Sequence, residues 1–470
     1  GYNVAVGKDS LAVNTAANNT AVGTSALYNN TTASENTAVG YESLYTNSTG
    51  AYNTAVGLKA LYANTTGQIN TAVGNAAMQN NTTGINNAAL GQVALFNNTT
   101  GTNNVAIGYQ ALVSNTTAGN NTAVGTQALT SNTTGADNVA VGLYALGNNT
   151  TASLNTAVGR SSLHANTTGN YNTAVGYQSL YTNSTASFNT AFGYHALYAN
   201  TTGAQNTAVG YNAAKAATTV TDTTAIGFES LYSLTTGLYN TGVGWQSNYK
   251  VTTGTQNTAI GRGALHENVT NNYQTAIGMD SLYNAKGDHN TGLGRNSGNA
   301  ITTGYINTVI GAYAGSNITA GVNNTCVGYN ALASSATVYN EFTLGNGDIN
   351  NLRCNDTTIS SLSDERDKTN IVDIPLGLDF VNSMRPVAFD WDRRDGSYEG
   401  RKDFGFIAQE LKVIQDGTDY ADHLRLVHEN NPDKLEADPM KTYPVLVKAI
   451  QELSAKVEVL QTELNLLKGK

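Results

Sequence analysis

The stretch NTAVGYESLYTNSTGAY (36–52) is followed directly by NTAVGLKALYANTTGQI (53–69) and NTAVGNAAMQNNTTGIN (70–86), three consecutive units of equal length. With the glycine that closes the AVG triplet as a marker, 21 copies run from Gly7 to Gly345, with eighteen steps of seventeen and two of sixteen. Such regularity is the signature of a solenoid, in which each unit buries its apolar face only by stacking on its neighbours. The period is too short for a helix pair. Within NTAVG the pattern alternates, so Thr and Val fall on one side of a strand while Ala and Gly fall on the other. The marker is preceded by Val, Ile, Leu or Phe in all 21 copies, and Leu44, Leu61, Leu112 and Leu129 stand four positions after it. These features predict a thin parallel β-solenoid with two short strands and two turns per coil. At a strand spacing of about 4.8 Å the rod is roughly 100 Å long. Asn-Thr-Thr-Gly reads as the turn, with Asn and Gly supplying positive φ and with Asn and Thr side chains bonded along the stack.

So thin a coil holds little more than one Val and one Leu. If those point inward, the alternation sends Ala38, Ala55, Ala72, Ala123 and Ala140 outward as an apolar strip suited to contact between identical chains.

Composition divides the sequence near residue 350. Of 24 Lys and Arg, 16 follow that point, as do 22 of 33 Asp and Glu and all five prolines. The boundaries expected are a repeat shaft at 1–350, a junction at 351–362 and a globular domain at 363–470. A net charge of -9 leaves no basic patch for nucleic acid. Cys326 and Cys354 make neither a disulfide framework nor a metal site, and no apolar run is long enough to span a membrane. Gly1 opens inside a repeat, so a C-terminal fragment of a longer chain is expected. His164, His195, His266 and His289 read as falling at unlike repeat positions, which argues against metal, and no cofactor is implied. Tyr41, Tyr109, Tyr177, Tyr194 and Tyr211 follow the marker and predict an aromatic ladder. The Asn-Thr-Thr triplets match glycosylation sequons but read as turn chemistry. No acid pair recurs in the rod, so a glycosidase site is not predicted.

Leu446, Ile450, Leu453, Val457, Leu460, Leu464 and Leu467 repeat with 4,3 spacing, a heptad seam predicting a coiled coil over about 444–468. Ile and Val at one seam position with Leu at the other lean by themselves toward two strands.

The NTAVG coil is similar to the repeats of trimeric autotransporter adhesin heads, which implies a left-handed parallel β-roll wound as a trimer. It resembles more closely the Asn-Thr-Ala-Val-Gly arrays of phage and bacterial tail-fibre proteins. At the other end, LSDERDKTNI (362–371), MRPVAFDW (384–391), DFGFIAQEL (403–411) and YPVLVKAIQEL (443–453) resemble the intramolecular chaperone domain of endosialidases and other tail spikes, the S74 peptidase family. That resemblance implies an α+β domain that trimerises the chains and cuts itself free, with Ser363 as nucleophile and Lys368 as base. Asp364 and Arg366 match the motif without a catalytic role. A serine hydroxyl needs such a base, and attack on the preceding carbonyl closes a five-membered ring, so Leu362–Ser363 is the expected scissile bond. Without the resemblance these residues read as a solvated loop capping a helix.

The function implied is a homotrimeric tail-fibre shaft for host attachment, located on the virion or on an extracellular appendage and binding a cell-surface glycan or protein. An N-terminal attachment to virion or baseplate would lie upstream. A bacterial adhesin or an ice-binding solenoid is the alternative. No enzymatic activity is predicted for the shaft.

Overall fold

The computed structural model describes residues 1–349, 351–353, 363–393, 399–429, 433 and 435–469. The protein is mainly β, a parallel solenoid of about 20 turns followed by a small α+β region that ends in a helix. Each coil contributes one short strand, from β1 (Val4–Val6) through β21 (Phe342–Leu344), and every strand pairs in parallel with the next. Pairing is in register, as in Thr54↔Thr71, Ala55↔Ala72 and Val56↔Val73. Only one strand forms per coil, where two were expected. The remainder is held as turns, because the chain must close a loop within a single short period.

The orientation of the strand is the reverse of that expected. Ala38, Ala55, Ala72, Ala123 and Ala140 are fully buried at 0% exposure, whereas the Val or Ile that follows each strand centre faces outward. Per coil the interior holds the strand Ala, a small residue such as Ala60, the Leu beside it, and two asparagines such as Asn53 and Asn64. With Leu61 and two amides already inside, only a methyl fits opposite. The strand therefore turns its Ala in and its β-branched residues out.

Positive φ also falls elsewhere than Asn-Thr-Thr-Gly. The left-handed residues of one coil are Tyr52 (φ 61°), Lys59 (φ 56°) and Leu61 (φ 49°), and this pattern recurs along the rod. The left-handed region is costly for a residue with a Cβ. At Leu61 it aims the side chain inward and leaves the backbone N–H to donate to Ala77 O at 3.0 Å. The marker glycine has a different need. Gly57 sits at φ +137°, and a Cβ there would lie 2.4 Å from Gly74 O. No other residue satisfies both conditions, which explains its presence in every coil.

Two asparagine ladders run inside the rod. Asn64 Nδ2 donates to Asn47 Oδ1 at 2.8 Å and to Gly67 O at 3.0 Å. Asn53 donates from its backbone N–H to Asn36 Oδ1 at 2.9 Å and from Nδ2 to Gly67 O at 2.9 Å. Buried amides are thereby paired along most of the rod, which the low dielectric inside demands. The first ladder is unbroken from Asn14 to Asn200. There Ala217 takes the next position, and Asn200 Oδ1 is left without a partner. The second ladder ends at Glu341, whose N–H donates to Asn324 Oδ1 at 3.0 Å. Its carboxylate accepts from Ser334 N at 2.8 Å and Thr343 Oγ1 at 3.0 Å.

The α+β region packs α1 (Leu378–Ser383), the antiparallel pair β22 (Val387–Asp390) and β23 (Lys402–Gly405), α2 (Ala408–Asp416) and α3 (Ala421–Leu424) with the start of α4 (Tyr443–Lys468). Phe380, Leu411, Leu424, Leu426 and Val445 form its core. Glu452 on α4 accepts the N–H of Leu378 at 2.8 Å, tying the long helix to the start of α1. Only the inner face of the first turns of α4, at Val445 and Ala449, is buried. Past Glu452 the helix is exposed.

Candidate functional site

Ser363 and Lys368 are brought together by a single turn. Asp364 starts a 3-10 helix over Glu365–Asp367, its carboxylate accepting from Arg366 N at 2.9 Å, Nε at 3.0 Å and Nη2 at 2.6 Å. The turn closes through Asp367 N to Asp364 O at 3.2 Å and Lys368 N to Glu365 O at 3.1 Å. Lys368 leaves it in extended conformation, and its Nζ returns to donate to Ser363 Oγ at 2.7 Å and to Ser363 O at 3.1 Å. The Ser363 hydroxyl and the Lys368 amine are thus within direct proton-transfer distance. The hydrogen bonds from Arg366 hold the Asp364 carboxyl below its usual range, and Asp364 in turn raises the guanidinium. Asp364 and Arg366 therefore serve the geometry of the turn. All of 363–370 is exposed to solvent. Leu362 and most of the expected junction, Cys354 included, lie outside the described residues.

The seam residues Ile450, Leu453, Val457, Leu460, Leu464 and Leu467 are exposed on α4, and Leu446 is half-buried. Near the base of the helix, Phe389, Trp391, Phe404, Phe406 and Leu435 line an open groove of about 1210 Å³.

The rod carries stacked aromatics at three repeat positions, the least extensive being the pairs Tyr171–Phe188 and Tyr273–His289. Tyr177, Tyr194, Tyr211, Phe228 and Trp245 follow successive markers, with centroids 5.3, 5.1, 5.2 and 6.5 Å apart and planes within 12°. Arg262 lies over Trp245 at 5.4 Å. Within this run ring faces are occupied by one another, so a sugar would meet edges. Tyr41 and Tyr109 have no aromatic residue at the same position in the coils beside them, which carry Thr24, Leu58, Gln92 and Thr126, so the expected ladder does not include these two. A second ladder, five positions after the marker, contains Tyr28, Tyr45 and Tyr62, and farther on Tyr249, His266 and Tyr283. His164 stacks on Tyr181 in the same position, so His164 and His266 do share a repeat position, contrary to the sequence reading. They serve there as flat rings. Among the described residues no group of three His, Cys, Asp or Glu could hold a metal ion.

The sequon asparagines of the first ladder, Asn64 among them, are fully buried and hydrogen-bonded, so in the folded rod they are inaccessible to modification. Sequence reasoning missed the termination of the other ladder at Glu341. Its signal was present: an acid stands where most earlier coils carry Asn, four positions before the marker.

The family model described as chaperone of endosialidase, peptidase S74, matches residues 363–420. No curated protein and no solved structure matches the chain. A repetitive β-solenoid followed by this domain fits the shaft of a tail fibre or tail spike with its chaperone. Among the described residues no helix is long and apolar enough to cross a membrane.

Proposed function

We propose that the chain is a tail-fibre shaft whose C-terminal domain brings three copies into register and is then released by a single self-cleavage. The observation that carries this reading is the 2.7 Å contact between Lys368 Nζ and Ser363 Oγ at the first residues of the matched segment. In the cleavage step, the neutral Lys368 amine takes the Oγ proton while Oγ attacks the carbonyl carbon of residue 362. The C–N bond breaks and the Ser363 nitrogen takes the proton back from Lys368. Water then hydrolyses the resulting ester. The pair is exposed to solvent, and burial, which disfavours an ammonium, would favour the amine as base.

The biological logic follows from the repeat. Near-identical units make a slip of one coil between chains almost free of penalty, because every side chain keeps its face. A unique domain at one end removes that degeneracy. Its release after winding leaves a fibre with no easy route to unfold, which is kinetic stability. The shaft carries attachment to a host glycan or protein without hydrolysing it; release of reducing sugar from host envelope by the purified rod would overturn that part.

Intact mass and denaturing gels test the cleavage. The parent chain gives two fragments, 1–362 and 363–470. Ser363→Ala and Lys368→Ala each leave a full-length chain that still assembles. Continued cutting in Ser363→Ala rules out the dyad, and a new terminus at Asp364 rules out the assigned bond.

A further inference from the structure

With the alanines inside, the rod presents a different apolar surface. The residue before the marker glycine is Val, Ile, Leu or Phe in all 21 coils, and it points outward: Leu90 is 50% exposed, Ile107 38% and Phe192 55%. Strand propensity alone does not account for this. Thr satisfies a strand equally well and fills the other outward strand position in most coils, yet it never occurs before the marker. Leu90 and Leu293 do occur there and are not β-branched. What is kept is apolarity, on the face turned to water. The outward positions past the marker hold no such rule, since Glu42, Lys59 and Gln110 share one of them.

We infer that this strand face is the surface along which copies of the chain pack against one another. The inference rests on the oligomeric fibre proposed above and says which side of the rod the copies share. The occupant is fixed by spacing. A partner that covers one apolar side chain per coil over 21 coils must repeat at the same strand spacing, and a second copy of this rod does so. Neither strand position bears a charge in any coil, so copies meet without desolvating an ion. A contiguous apolar strip of this length is otherwise unsuited to a single chain in water.

The test uses the full chain with Cys326→Ala and Cys354→Ser, into which Leu90→Cys or Thr83→Cys is placed. Thr83 is exposed in a bend of the adjacent coil. Maleimide labelling of the native protein is read beside its mass by sedimentation. The expected result is a multi-chain mass in which Leu90→Cys labels at least tenfold more slowly than Thr83→Cys, with equal rates in denaturant. A multi-chain mass with both thiols labelled at the same rate overturns the assigned face and leaves the oligomer standing. A single-chain mass with both labelled overturns the two together.

Discussion

A Cβ placed on Gly315 would lie 2.3 Å from Cγ1 of Val309. Gly315 occupies the position that holds Leu in most coils, and Val309 the strand position that holds Ala. The pair is a volume exchange inside the rod: the larger residue has moved to the strand and the smaller to the turn. Ile318 completes it where the first ladder would have Asn.

Exchange of this kind predicts a strong coupling. Val309→Ala should cost about 2 kcal/mol through the cavity it leaves. Gly315→Leu alone overpacks the coil, at about 1–3 kcal/mol. Leu tolerates the backbone, since Gly315 has φ 59° and Leu61 φ 49°. The double variant, with Ile318 kept, resembles the earlier coil of Ala225, Leu231 and Leu234 and should recover most of the loss, as measured by thermal unfolding in a double-mutant cycle. Simple additivity of the two penalties would contradict the exchange.

The apolar interior falls into two clusters, 21–251 and 259–338. On either side of the break, Asn248 takes a leucine position and Gln274 takes that of an asparagine, with both atoms of its amide unpartnered. One methylene too many carries that amide past the ladder. Gln274→Asn is expected to pair it and to stabilise this part of the rod by about 1–3 kcal/mol. Slower amide hydrogen exchange in the surrounding coils is the measurement; unchanged exchange would refute the ladder argument.

Cys326 stands at a strand centre with its side chain in the core, and burial pushes its thiol up from 9.0 to about 11. The folded rod should therefore leave Cys326 unreactive to iodoacetamide at moderately alkaline pH, with reaction only after denaturation. Because the folded value is the higher one, its stabilising contribution is complete below pH 9.0 and lost as the pH rises toward about 11. Thermal unfolding of Cys326→Ala should lack that part of the alkaline decline, and equal declines in both proteins would disprove the assignment.

Leu453 is 49% exposed on α4, one turn past Ala449, the last apolar anchor of the helix in its own domain. Leu453→Asp should leave the helical circular dichroism of a single domain within experimental scatter, because a surface change costs little. Association between chains should be lost, since the charge would sit in a coiled-coil seam. An unchanged assembly mass would show that the seam does not join chains.

The period and the glycine were decided by local chemistry and are legible in the chain, whereas Ser363 and Lys368 stand out only through the resemblance, since by themselves they read as a solvated loop. A backbone conformation that only glycine tolerates marks Gly57 and its equivalents, and the fixed spacing dictates stacking. The short step from Ser363 to Lys368 suffices for one turn to join them, as it does at 2.7 Å. The direction in which the strand faces was not legible, because alternation defines two faces and is silent on which is inside. That choice belongs to the whole coil. The left-handed backbone at Leu61 sends its side chain inward, Asn53 and Asn64 need buried partners one coil away, and the space left opposite admits Ala55 and excludes Val56. Each of these is a distance between residues far apart in the unit, and only the closed, stacked coil brings them into contact.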